Sequence, residues 1–100
     1  MVEEIAFIQI QPGKEAAFEE AVAKAKKEIF GAAPGLISVS LGKGEERPDV
    51  YALRLTWENI EDHTVTFVNS DGFEQWRNLV GSMFASAPTL EHWHPVDLGA

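Results

Sequence analysis

Three histidines hold much of the chemical potential of this chain: His63, in "WENIEDHTVTF", and His92 and His94, two apart around Trp93 in "TLEHWHPVDL". Imidazole titrates near neutrality, so each could move a proton, ligate a metal or sit hydrogen-bonded in a core. His63 falls three residues after Ile60 and four before Phe67, which puts it on the apolar side of a helical pattern. A core histidine, a base facing a pocket and a metal ligand all remain open to it. His92 and His94 would share a strand face with Leu90 and Val96, with Glu91 and Trp93 on the other. A metal there needs a third ligand, yet Glu91 faces away and the chain has no cysteine. No metal site is expected.

The remaining candidates are positively charged or aromatic. Arg54 stands mid-strand, where its charge must be paired, across a subunit boundary for example, or must meet an anionic substrate group. Trp57, Phe67 and Trp76 are large enough to fill a core or to wall an aromatic-binding pocket. Arg77 reads as a surface residue beside Trp76, and Asn59 as a helix cap.

These side chains need elements to place them. "VEEIAFIQIQ" (2–11) alternates as a strand, with Ala6, Ile8 and Ile10 opposite Ile5, Phe7, Gln9 and Gln11. Pro12-Gly13 ends it. "KEAAFEEAVAKAKKEIF" (14–30) predicts a helix with Phe18, Val22, Ala25 and Ile29 on one stripe. Its early glutamates and late lysines follow the helix dipole, so the lysines read as a solvated face. Beyond the breakers of "GAAPG" (31–35), "LISVSLGKG" (36–44) and "VYALRLTW" (50–57) predict a hairpin. Ile37, Val39 and Leu41 are expected inside the first of these, and Tyr51, Leu53, Leu55 and Trp57 inside the second. A short helix follows over 60–68 with Asn59 and Asp62 at its start. Ser70-Asp71-Gly72 interrupts it, and a second stretch over 73–84 aligns Phe73, Trp76, Val80 and Phe84. Residues 89–98 form the last strand.

That order is β-α-β-β-α-β, an α+β ferredoxin-like fold whose four-stranded antiparallel sheet carries the helices on one face. One hundred residues make a single domain over 1–100. The other sheet face mixes Ile5 and Phe7 with Gln9, Ser38, Ser40, Arg54 and Thr56, a surface a monomer rarely leaves bare. Two such sheets packed face to face would bury it and form a dimeric barrel with a partly polar interior.

The formal net charge of −8 argues against nucleic acid, whose binding rests on neutralising phosphates. No apolar run approaches the roughly 18 residues a membrane span requires, and Glu3 and Glu4 follow Met1 where a secretory leader would be basic and apolar. A cytoplasmic location is expected.

Together with that element order, "WENIEDH" (57–63), "NSDGFEQW" (69–76) and "EHWHPV" (91–96) resemble the antibiotic biosynthesis monooxygenase family over nearly the whole chain. The resemblance implies a homodimeric α+β barrel, its last strand reaching toward the partner subunit. The family and its relatives include cofactor-independent oxygenases, quinol monooxygenases, haem-degrading enzymes and polyketide cyclases. Matching around "NSDGF" places Ala6, Phe67 and Arg77 where the haem-degrading branch has asparagine, tryptophan and the ligand histidine. All three differ, so haem is not expected, and the cofactor-independent reading implies no other cofactor. The implied activity is monooxygenation of a small aromatic, polyketide-like or quinol substrate. His63 would act as base and Arg54 as its catalytic partner, with Trp57, Phe67, Trp76, His92 and Phe7 contacting the substrate. A non-catalytic small-ligand or stress-associated binding protein, and a cyclase or isomerase, are the alternative functions on the same fold.

Overall fold

The computed structural model describes residues 1–99. Strands β1 (Val2–Gln9), β2 (Leu36–Lys43), β3 (Val50–Trp57) and β4 (Thr89–Trp93) form one antiparallel sheet in the order β2-β3-β1-β4. Helices α1 (Glu15–Glu28) and α2 (Asp71–Val80) interleave with them, giving the expected β-α-β-β-α-β order. The sheet buries one face under the helices. Val2, Glu4, Ala6 and Ile8 alternate inward along β1, and Tyr51, Leu53, Leu55 and Trp57 do so along β3. Phe18, Ala21, Val22 and Ala25 of α1 close over them.

The ends of the elements differ from the sequence pattern for local reasons. β1 stops at Gln9, and Ile10 makes only a single bridge with Phe84. α1 gives way after Glu28 to a 3-10 turn over Phe30–Ala32, which tucks Phe30 into the core. α2 starts at Asp71, earlier than expected, because the Ser70 hydroxyl accepts from the Phe73 N–H at 3.3 Å. It closes in a 3-10 turn over Gly81–Met83. β4 ends at Trp93, two residues before Pro95, leaving His94 outside the ladder.

One face assignment is corrected. Ile37 is half exposed, because a bulge between Leu36 and Ser38 inserts it as an extra residue against β3. Leu36 packs on the core in its place, beside Val39 and Leu41 as expected.

The segment between β3 and α2 carries His63. Residues Asp62–Phe67 form a π-helix, closed by the Val68 N–H donating to the His63 carbonyl five residues back at 3.1 Å. Asn59 does not cap it with its side chain. Its backbone N–H instead donates to Asp62 Oδ2 at 3.1 Å, so the acid supplies the cap. The wider turn directs both His63 and Phe67 into the core. No helix is long and apolar enough to cross a membrane among the described residues.

Candidate functional site

Glu4 lies on the helix-covered face of β1, where strand alternation puts it between Val2 and Ala6. It pairs across the ladders with Leu55 on one side and His92 on the other. A carboxyl group in that position loses its water and must find partners. Trp57 Nε1 donates to Glu4 Oε1 at 3.0 Å, and His63 Nε2 approaches the same oxygen at 3.3 Å. The opposite ring nitrogen of His63, Nδ1, lies 2.9 Å from His92 Nε2. The Trp57 indole stacks on the imidazole of His63 with centroids 5.6 Å apart. Four side chains from β1, β3, the π-helix and β4 thus form one chain: Trp57, Glu4, His63, His92.

The protonation states follow from burial. Desolvation raises Glu4 to about 7, opposed by the hydrogen bond from Trp57. Desolvation first, and the neighbouring His92 second, lower His63 to about 4. Glu4 and His63 sit close enough for an ion pair, yet burial favours the neutral form of each. The 2.9 Å contact between the histidines needs one N–H and one bare nitrogen, so they cannot both be cationic. Two neutral arrangements satisfy the chain. Either Glu4 holds the proton and His63 donates onward to His92, or His92 donates to His63 and His63 turns its N–H toward Glu4.

Glu4 and His63 form the polar part of the wall of a cavity of about 260 Å³. Phe30, Leu53, Phe67 and Trp76 supply much of its apolar lining. Leu90 and Pro88 lie on the β4 side, and Arg77 also borders it, its guanidinium 5.9 Å from the ring centroid of Phe73. Among the described residues Arg77 has no carboxylate within ion-pair distance. Ala6, Phe67 and Arg77, matched above to the three haem-branch positions, all lie on this wall.

The structure brings together His63, His92, Trp57, Phe67 and Trp76. Phe67 and Trp76 face the cavity, whereas Trp57 and His92 stand behind Glu4 and His63. It does not bring Arg54 or Phe7 to them. Both point to the opposite sheet face, where Arg54 Nε lies 3.9 Å from Glu3 Oε1. His94 is exposed beyond β4. Glu91 accepts from Trp93 Nε1 at 3.1 Å on that same far side. Glu4, His63 and His92 do not converge on a common point, because the two partners address opposite nitrogens of one ring. No group of three or more potential ligands among the described residues could hold a metal ion.

Glu4 is the candidate residue absent from the expectations drawn from the sequence. Its signal was available: it has the parity of Ala6, Ile8 and Ile10, so a carboxylate was due on the buried face.

The family model for antibiotic biosynthesis monooxygenases matches residues 1–79, a span that includes Glu4, His63, Phe67 and Trp76. The uncharacterized protein YczJ of Bacillus subtilis (strain 168) is 38% identical over 96 residues, covering 96% of this chain and all of the relative. A Bordetella bronchiseptica structure, provisionally named an antibiotic biosynthesis monooxygenase, superposes with a TM-score of 0.92 at 42% identity. That match covers 95% of this chain and 96% of the other. A Caulobacter crescentus structure of the same provisional name shares the fold, with a TM-score of 0.83 at 21% identity over 96% of this chain and 90% of its own. The chain belongs to the antibiotic biosynthesis monooxygenase family.

Proposed function

We propose that this protein is a cofactor-independent monooxygenase of a small aromatic molecule, with a quinol the best fit to its cavity. The observation that carries the reading is the buried Glu4–His63–His92 chain opening onto an apolar cavity. An apolar cavity of roughly 150 Å³ holds a benzene ring, so about 260 Å³ suits one or two rings. Larger polyketide-like molecules would have to extend past Arg77 into the neighbouring groove beside Asn69 and Glu74.

The chemistry asks for a base and a dry, positively edged cavity. Loss of a phenolic proton to the cluster centred on His63 turns the quinol into an electron-rich quinolate, which reduces O₂. A C–O bond forms at the ring carbon beside the oxygenated one. The peroxide is protonated by the same cluster and then loses water. One quinol and one O₂ give one hydroxyquinone and one water, so the substrate supplies all four electrons. Arg77, rather than Arg54, is the guanidinium on the cavity wall and would face the developing oxyanion. Pairing of two copies through the mixed sheet face completes the proposed assembly.

The test is 1,4-naphthohydroquinone under ¹⁸O₂. The expected product is 2-hydroxy-1,4-naphthoquinone bearing one heavy oxygen, formed by wild type and not by the double variant Glu4→Gln/His63→Ala. Only unlabelled 1,4-naphthoquinone, at the rate of the protein-free control, would overturn the oxygenase. A second reading, a small-ligand binding protein, draws on the engagement of both His63 ring nitrogens. It predicts saturable naphthol binding without O₂ uptake.

A further inference from the structure

We infer that Glu4 is the catalytic residue that meets the substrate, and that it takes the substrate proton on Oε2, with His63 standing behind it. The inference rests on the proposed use of the cavity and specifies the atom that begins the reaction there.

Both nitrogens of His63 are occupied, Nε2 facing Glu4 Oε1 and Nδ1 facing His92 Nε2. A substrate proton could reach His63 only if one of those contacts opened. Glu4 differs. Its Oε1 accepts from Trp57 and faces His63, while Oε2 has no protein partner among the described residues. No fully buried side-chain oxygen or nitrogen among those residues lacks a partner, so Oε2 must be accessible. Glu4 is almost wholly covered and its accessible neighbourhood is the cavity it lines. Oε2 is therefore the carboxyl oxygen left free where Glu4 borders the cavity.

The surroundings suit a base. Besides His63, Arg77 is the other charged or titratable side chain on the cavity wall, and His92 lies across the β1–β4 ladder. Trp57 and His63 hold Oε1 on one side, so the carboxylate plane is fixed while Oε2 exchanges its proton. A carboxyl group poised near neutral pH accepts a phenolic proton and can return it. The quinol O–H bond breaks and an Oε2–H bond forms. After O₂ has added to the ring carbon, that proton passes to the peroxide oxygen, and Glu4 is an anion again. His63 and His92 act as positioning residues that set the charge on Oε1.

The experiment separates this assignment from the function it rests on. Glu4→Gln keeps the acceptor for Trp57 and should bind 2-naphthol within about threefold of wild type, since the apolar walls are intact. Its kcat on 1,4-naphthohydroquinone should fall at least about 100-fold. His63→Asn should lose less and should move the acidic limb of the pH–rate profile upward, because Oε1 loses its N–H neighbour. Independently of turnover, the protonated-carboxyl infrared band that Glu4→Gln removes should shift when wild type binds 2-naphthol. Hydroxyquinone formation unimpaired in Glu4→Gln but abolished in His63→Asn overturns the assignment and leaves the monooxygenase standing. A shifted Glu4 band with bound naphthol but no oxygenation of the quinol supports Glu4 as the ligand-facing group and removes the oxygenase. Naphthol bound with the Glu4 band unchanged overturns the inference outright.

Discussion

At the scale of single residues, Glu4 and His63 carry opposite burdens that nearly cancel, and this makes a sharp test. Glu4 is raised from 4.5 to about 7, so the folded state prefers its neutral form. Its contribution is fully favourable below pH 4.5 and is lost as pH rises through 7. His63 is lowered from 6.5 to about 4, so its penalty appears as pH falls below 6.5 and is complete below 4. Each ramp spans about 3 kcal/mol. Because they run in opposite directions over overlapping windows, wild type gains little net slope from the pair between pH 4.5 and 6.5. Glu4→Gln removes one ramp. Its stability relative to wild type should rise from pH 5 to pH 8, approaching about 3 kcal/mol if the amide keeps its partners. Urea unfolding of both proteins at several pH values reads this difference, in which other titrations cancel; a difference independent of pH would refute the burial account. The two residues were unequally legible beforehand. His63 announced itself through residue type and helical spacing, whereas Glu4 was hidden by its position beside Glu3 near the start of the chain. The alternation of β1 separates them: Glu3 reaches toward Arg54 outside, and Glu4 faces His63 inside.

At the scale of elements, the site depends on how the chain turns between β3 and α2. Gly35 has φ +81, a backbone conformation L side chains rarely adopt, and a Cβ there would collide with the Asp62 carboxylate. The carboxylate is held in that space by the Asn59 N–H, and His63 is the next residue along the π-helix. Gly35→Ala therefore asks for a strained backbone and displaces the cap of the segment that aims His63. Destabilisation of about 1–2 kcal/mol or more is expected, read from thermal melts. The His63–His92 contact should loosen with it, seen as a changed imidazole N–H resonance of the pair. A variant as stable as wild type with an unmoved resonance would show that Asp62 and Gly35 do not position the site. Ser70→Ala removes the hydroxyl that accepts from Phe73, and should cost about 1 kcal/mol without changing that resonance. Hydrophobic period had revealed every strand and both helices, because burial on one face writes itself into the sequence at spacing two or 3.6. It could not reveal the bulge at Ile37 or the π-turn at His63. Each inserts a residue that shifts the parity, and no local residue type marks the shift.

At the scale of the whole molecule, the two sheet faces divide the labour. The cavity and its acid–base chain lie under the helices, while Ile5, Phe7, Arg54 and Thr56 line the other side. Phe7 is 38% exposed there, Trp93 stands 54% exposed across from Glu3 at the other end of β4, and among the described residues the outer edge of β4 has no strand partner. An apolar patch next to an open edge is a surface that water disfavours and another copy can cover. The face pattern was legible, since Phe7 and Arg54 have the parity of the uncovered side. Their expected roles, Arg54 catalytic and Phe7 a substrate contact, placed them on the mixed face of a two-sheet barrel, whereas the cavity lies under the helices. Covering this face by a second chain predicts that wild type sediments at twice the 11.0 kDa chain mass. Phe7→Glu puts a charge on this face without touching the cavity wall. It should sediment at the single-chain mass, melt earlier, and still bind 2-naphthol, because Glu4, His63 and Trp76 remain within one chain. Loss of naphthol binding together with the dimer would mean that the partner copy shapes the cavity. An unchanged dimer would place the contact elsewhere, with the open edge of β4 the next surface to disrupt.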